Sequence, residues 1–90
     1  ELDPARGKSE GYGWISLCFV EGDERRRLLG VQLLGHAVST FRRLGRRSIR
    51  LHVFEGNAGA IAFYREYGFR EIGRADGILG PLLLMEKDIA

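Results

Sequence analysis

The sequence predicts an α/β (α+β) domain, with a mixed sheet in the order strand–helix–strand–helix–strand–strand and two helices packed on it. Three observations carry this. Apolar residues return at the helical period between Leu29 and Leu44, and they alternate from Ser48 to Phe54 as a half-buried strand requires. A short apolar segment then lies between Asn57, which favours a helix start, and Gly68, which favours a helix end.

The chain opens on Glu1-Leu-Asp-Pro like a strand already in progress, as expected of a piece of a longer protein. Residues 4 to 13 hold Pro4, Gly7, Gly11 and Gly13 among charges and read as a turn or loop. Trp14 to Val20 is an apolar strand. The helix from Leu29 to Leu44 sets Val31, Leu34, Val38 and Phe41 on one stripe, with Leu33, Ala37 and Leu44 beside it. Gly45 suits the left-handed residue that ends it. In the next strand Ile49, Leu51 and Val53 take one face, and Arg50, His52 and Phe54 the other. Two strands joined by a helix should be parallel, with a right-handed crossover. The second helix runs from Ala58 to Tyr67, with Phe69 placed for the apolar contact that accompanies a Schellman ending. Arg70 to Arg74 and Leu82 to Lys87 are the last strands. Asp76-Gly77 and Gly80-Pro81 either flank an irregular crossover or tighten a hairpin.

Ninety residues allow one small domain at most. The formal charge of +2 is mild and the arginines are spread over several elements, which argues against nucleic acid as a partner. One cysteine, Cys18, excludes an internal disulfide and a Cys-rich metal site. No stretch has membrane-spanning length and no signal peptide is visible, so a cytoplasmic setting is expected, with no membrane and no metal.

Two segments point to chemistry. The strand ending at Val20 runs into a loop holding Arg25, Arg26 and Arg27, and a helix follows at once. Free N–H groups at a helix N-terminus, aligned peptide dipoles and added guanidinium charge together suit a phosphate group. The second segment is Asn57-Ala-Gly-Ala-Ile-Ala-Phe-Tyr-Arg-Glu-Tyr-Gly-Phe69.

Together these residues resemble the C-terminal half of the GCN5-related N-acetyltransferase (GNAT) superfamily. Its cofactor loop has the form Arg/Gln-x-x-Gly-x-Gly/Ala after a strand. One register sets Arg27 first and Gly30 at the first glycine, leaving Gln32 where a small residue belongs. The other sets Arg25 first, Leu28 at the first glycine and Gly30 last; Val31-Gln32 then fills the two variable positions ahead of the apolar pair Leu33-Leu34. Leu28 departs from the pattern, putting a Cβ where glycine lets backbone approach the pyrophosphate. Asn57, Ala60, Phe63-Tyr64 and Tyr67-Gly68-Phe69 match the family's other cofactor motif. Gly-Val-Gln-Leu-Leu-Gly, Arg-Leu-His-Val and the closing Leu-Leu-Leu-Met-Glu-Lys are similar to acetyltransferase domains fused behind a histidine-phosphatase domain.

The resemblance implies residues 1–90 are the C-terminal portion of a GNAT-like domain, a partial GNAT fold whose N-terminal half is absent. It implies acetyl-CoA as cosubstrate and direct attack of a primary amine on the thioester. Backbone groups of Cys18, Phe19 and Val20 would pair with the pantetheine arm, and an N–H there would polarise the thioester oxygen. The N–H groups of Arg26, Arg27, Leu28, Leu29, Gly30 and Val31 would hold the pyrophosphate, with charge from Arg25 to Arg27. Tyr64 would protonate the leaving thiolate, and packing in a helix interior accounts for it as well. Asn57 would touch the cofactor while capping its helix. His52 occupies the slot of a general base, or is a satisfied strand histidine. Because an acceptor site needs walls, catalysis is expected of the full-length parent. The alternative is a non-catalytic GNAT-like module for CoA binding or assembly. An exposed apolar edge at Trp14 to Val20 would then favour a homodimer, or pairing with the missing N-terminal half.

Overall fold

The computed structural model describes residues 2–16 and 24–90, with side chains from Leu28 onward in the second stretch. It contains β1 (Leu2–Asp3), β2 (Tyr12–Ile15), α1 (Glu24–Arg43), β3 (Ser48–Phe54), α2 (Ala58–Glu66), β4 (Arg70–Gly77) and β5 (Gly80–Asp88). The strands form one sheet in the order β1-β2-β3-β5-β4. β2 and β3 are parallel, as two strands joined by a helix should be, and every other pairing is antiparallel. Both helices pack on one face. Ile15 of β2, Ile49, Leu51 and Val53 of β3, and Leu83 and Met85 of β5 meet Leu34, Ala37 and Phe41 of α1 and Ala60, Phe63 and Tyr64 of α2 in one core.

The helix ends form as expected, for a local reason. Gly68 takes φ of 92°, its N–H donates to the Arg65 carbonyl at 3.1 Å, and that of Phe69 donates to the Tyr64 carbonyl at 2.9 Å. This is a full Schellman motif, and the rings of Tyr64 and Phe69, 5.4 Å apart, supply its apolar contact. Gly45, with φ of 77°, ends α1 by the same pair of bonds, from Gly45 to Arg42 and from Arg46 to Phe41.

Three expectations are corrected, and one alternative left open is decided. The helix expected from Leu29 begins at Glu24. Glu24 and the three arginines are all good helix formers, and a carboxylate in the first turn is favourable, so nothing in the Arg run stops the helix. The strand expected at Trp14 begins at Tyr12, and its edge is covered: Leu2 pairs with Ile15 and Asp3 with Trp14, because the intervening turn folds the opening strand back. The edge expected to be open is therefore covered at Trp14 and Ile15, and its remainder from Leu17 to Val20 lies outside the described residues. Leu44, expected beside the core stripe, is 51% exposed because α1 ends one residue before it. Of the two readings at the chain's end, the hairpin is the one formed. β4 and β5 extend to Gly77 and Gly80, leaving Ile78 and Leu79 as a two-residue loop.

Gly13 has its own role. A Cβ there would fall inside the van der Waals envelope of the Phe41 ring, so α1 lies against β2 only because position 13 has no side chain. Gly35, on the outer side of α1, has open space around it. Gly13→Ala is expected to destabilise the chain by about 1–3 kcal/mol through overpacking, lowering the melting temperature by at least roughly 4 °C. Gly35→Ala should instead stabilise by about 0.5–1 kcal/mol through helix propensity. Thermal melts followed by circular dichroism would check both signs.

Candidate functional site

The parallel pair sends both of its following helices off from the same end of the sheet. α1 follows the carboxyl end of β2, and α2 follows the carboxyl end of β3 after three residues. In such sheets the carboxyl ends of the strands are where ligands meet backbone donors. β3 pairs with β5 along its whole length, from Ser48 to Phe54, but with β2 only from Ser48 to Leu51. On the β2 side, His52, Val53 and Phe54 therefore have no ladder partner among the described residues. An extended ligand could hydrogen-bond there as a strand would.

Asn57 stands at this end. Its side-chain oxygen accepts from the Ala60 N–H at 3.1 Å, so the capping half of its expected role is in place. Its exposed amide N–H₂ is left facing solvent. On the other helix the Cβ-bearing Leu28 and its neighbour Leu29 are both 64% exposed, and Gly30 is buried. Since α1 starts at Glu24, the N–H groups of Leu28, Leu29, Gly30 and Val31 lie within the helix, where carbonyls four residues earlier take them. The donors left over belong to its first turn, Glu24–Arg27. Cys18, Phe19 and Val20, and the side chains of Arg25, Arg26 and Arg27, lie outside the described residues.

His52 and Tyr64 are not brought together. Tyr64 is fully buried on the helix face, its ring edge-on to Phe63 at 5.5 Å and to Phe69 at 5.4 Å. His52 points to the opposite face, where its ring meets Trp14 edge-on at 4.8 Å. Arg6, from the turn after β1, lays its guanidinium over the Trp14 ring at 3.4 Å. Burial, and then the Arg6 charge, push the His52 pKa below the ordinary 6.5. The imidazole is accordingly neutral at pH 7 and able to accept a proton.

Sequence reasoning missed Arg6, which reaches His52 only because its turn folds over β2. It also missed an open depression of about 420 Å³ lined by Glu55, Arg74, Ala75, Asp76 and Pro81. An Arg74–Glu55 ion pair closes one side of it, and the Glu55 N–H donates to the Pro81 carbonyl at 3.0 Å. These residues come from the β3–α2 corner and the β4–β5 hairpin, and no sequence spacing links them. Among the described residues no group of His, Cys, Asp and Glu could hold a metal ion, and no helix is long and apolar enough to cross a membrane.

Residues 2–69 match the family model described as the acetyltransferase (GNAT) family. The chain belongs to the GNAT family. It is 42% identical over 57 residues to an uncharacterized N-acetyltransferase of Methanocaldococcus jannaschii, covering 63% of this chain and 25% of that protein. It is 31% identical over 78 residues to the chloroplastic GCN5-related N-acetyltransferase 4 of Arabidopsis thaliana, covering 87% of this chain and 27% of that one. The GNAT chain thus spans about a quarter of the curated relatives it matches. Among solved structures, the ribosomal-protein-S18-alanine N-acetyltransferase of Escherichia coli matches with a TM-score of 0.69 and 27% identity, over 89% of this chain and 56% of that one. An aminoglycoside 6'-acetyltransferase type Ii, 20% identical, shares the GNAT fold with a TM-score of 0.78 over 99% of this chain and 59% of its own.

Asn57→Ala should cost about 1 kcal/mol by removing the α2 cap, read from the melting temperature. The lowered His52 pKa has its own consequence for stability. Above about pH 6.5 both folded and unfolded histidine are neutral. Below it the unfolded chain takes up the proton first, so stability declines as pH falls through the lowered folded value. An NMR titration should find the His52 midpoint below 6.5, and Arg6→Gln should move it upward.

Proposed function

We propose that this chain is the acetyl-CoA-binding, C-terminal portion of an N-acetyltransferase, and that the full-length parent transfers acetyl from acetyl-CoA to a primary amine. Family membership supports acetyl transfer as the general chemistry. The observation that carries the reading is the shared carboxyl end of β2 and β3. The first turns of both helices stand there together, beside the His52–Phe54 backbone, which has no ladder partner on the β2 side among the described residues.

In this reading backbone groups of Cys18, Phe19 and Val20 pair with the pantetheine arm much as a neighbouring strand would. The pyrophosphate lies at the first turn of α1, where the helix dipole and Arg25 to Arg27 favour negative charge. Asn57 offers its amide N–H₂ to the cofactor while its oxygen caps α2. The amine attacks the thioester carbon, and the carbon–sulfur bond breaks with its electron pair leaving on CoA sulfur. Tyr64 gives the thiolate a proton, which a phenol with pKa near 10 can do at neutral pH. Neutral His52 draws a proton off the acceptor's ammonium, directly or through water, so that the free amine carries the electron pair that attacks. Tyr64 and His52 lie on opposite faces of the sheet, so in this reading the reacting carbon belongs at the shared carboxyl end of β2 and β3, within reach of both.

A second reading, a GNAT-like module that binds CoA or assembles without transferring acetyl, draws support from Tyr64, which has no solvent exposure in this structure. Calorimetric titration with acetyl-CoA is the first test. Saturable binding by the chain, weakened by roughly tenfold or more in the Arg25→Ala, Arg27→Ala double variant, is the expected result; tenfold corresponds to about 1.4 kcal/mol. No binding by either the chain or the full-length parent would sink the acetyl-transfer reading and the CoA-binding form of the second, leaving only assembly. In the parent, Tyr64→Phe keeps the ring packing and should lower kcat by about 10²–10⁴-fold with little change in KM for acetyl-CoA. An unchanged kcat would remove Tyr64 from the mechanism.

A further inference from the structure

The end of the sheet away from the candidate site joins two turns distant in sequence. Buried Arg46 donates from its guanidinium to the carbonyls of Pro4 at 2.6 Å, Tyr12 at 3.0 Å and Arg6 at 3.5 Å. The Arg47 N–H donates to the Gly11 carbonyl at 2.7 Å. The turn between β1 and β2 is thereby fixed against the corner between α1 and β3. Residues 3–10 and 42–47, with the end of β5 that is bonded to Arg42 and Arg47, carry Arg6, Lys8, Arg42, Arg43, Arg46 and Arg47 against Asp3, Glu10 and Asp88, more positive charge than the +2 of the whole chain.

Some of these cations have partners. Arg46 has its carbonyls, Arg6 has Trp14, and Arg42 donates through Nε to the Ile89 carbonyl at 2.7 Å. Asp3 is engaged too, accepting from the Ala5 and Arg6 N–H groups at 3.0 and 3.2 Å. Lys8, Arg43 and Arg47 are exposed, and among the described residues none has an ion pair. Arg50, Arg70 and Arg74, on the strands, all do. The dipole of α1 accounts for cations in its last turn. It does not account for Lys8 or Arg47, which lie outside the helix, and the Gly45 and Arg46 N–H groups already satisfy two of its last carbonyls.

We propose that this basic pole is a docking surface for the phosphate backbone of nucleic acid, separate from the cofactor end. Forked guanidiniums suit phosphate oxygens better than they suit point-charge neutralisation. Leu44 is the large apolar side chain exposed on this pole, and one leucine gives no apolar face for a membrane interface. The depression beside Glu55 and Arg74 lies at the opposite end of the sheet. Tyr12 sits beneath Arg50, 4.3 Å from its guanidinium, so the pole reads charge and not bases.

The test is fluorescence anisotropy of a labelled mixed-sequence DNA duplex titrated with the chain at several salt concentrations. Three phosphate contacts, from Lys8, Arg43 and Arg47, imply that affinity falls about 40-fold between roughly 50 and 200 mM salt. Arg43→Glu, Arg47→Glu should weaken binding by at least about tenfold, and the milder Arg43→Gln, Arg47→Gln should flatten the salt dependence, with the melting temperature of both near that of the parent sequence. The Arg25→Ala, Arg27→Ala variant should bind the duplex unchanged. Binding that ignores salt, or that survives both substitutions at 43 and 47, overturns the proposal. So does loss of binding in the 25/27 variant instead, or retention by phosphatidylglycerol vesicles with none by the duplex.

Discussion

The parallel pairing of β2 with β3 is the constraint on which the rest of the structure depends. Parallel neighbours must be joined by a crossover, and here that crossover is α1. Once it is made, the carboxyl ends of both strands, and so the starts of both helices, share one end of the sheet. Had the strands been antiparallel, the two helix starts would have stood at opposite ends of the sheet, with their free N–H groups apart. Among the described residues β2 pairs with β3 only as far as Leu51, while β5 pairs with β3 out to Phe54 at the same end.

Two devices hold that pair in place. The first is steric: Gly13 lets the Phe41 ring rest on the backbone of β2, bringing α1 close enough to bury Ile15, Leu34 and Ala37 in one core. The second is polar. Arg46 is buried, and its guanidinium is matched to three main-chain carbonyls. Two of those carbonyls, of Pro4 and Arg6, belong to the turn that carries β1 back onto β2, and the third, of Tyr12, starts β2 itself, so a hydrogen-bonded arginine fixes the pairing of β1 with β2. A buried cation without such acceptors would be costly. Here it ties the first turn of the chain to the end of its longest helix.

The opposite face of the sheet follows a different logic. Glu86, nearly buried, is bonded by Arg50 at 2.7 Å and Arg70 at 2.8 Å, with the Ser48 hydroxyl 3.3 Å away. In register these residues lie across three adjacent strands, Arg50 opposite Glu86 and Glu86 opposite Arg70. Beside them Arg6 covers Trp14, and Trp14 meets His52. The helix face is therefore apolar while this one is built from paired charges and aromatic rings. His52, with its lowered pKa, belongs to the second environment and Tyr64 to the first.

Much of this was legible in the residues alone, because its causes are local. The alternation from Ser48 to Phe54 marks a strand with those bounds. Asn57 and Gly68 bracket α2 through bonds made within a few residues, and the strand–helix–strand order makes β2 and β3 parallel. The matched motifs, from Arg25 to Gly30 and from Asn57 to Phe69, identify the family. What the sequence left open depends on partners far along the chain. Whether Arg25 to Arg27 form a loop or a first helical turn is a contest between similar local preferences, and the folded chain decides it for the helix. Whether Asp76-Gly77 and Gly80-Pro81 make one hairpin depends on β5 finding β3. Only the tertiary structure puts His52 and Tyr64 on opposite faces, sets Arg6 against Trp14, and joins residues 3–10 to 42–47 in one basic pole. Sequence spacing governs contacts within a helix or strand; contacts between them are fixed by how sheet and helices close on their core.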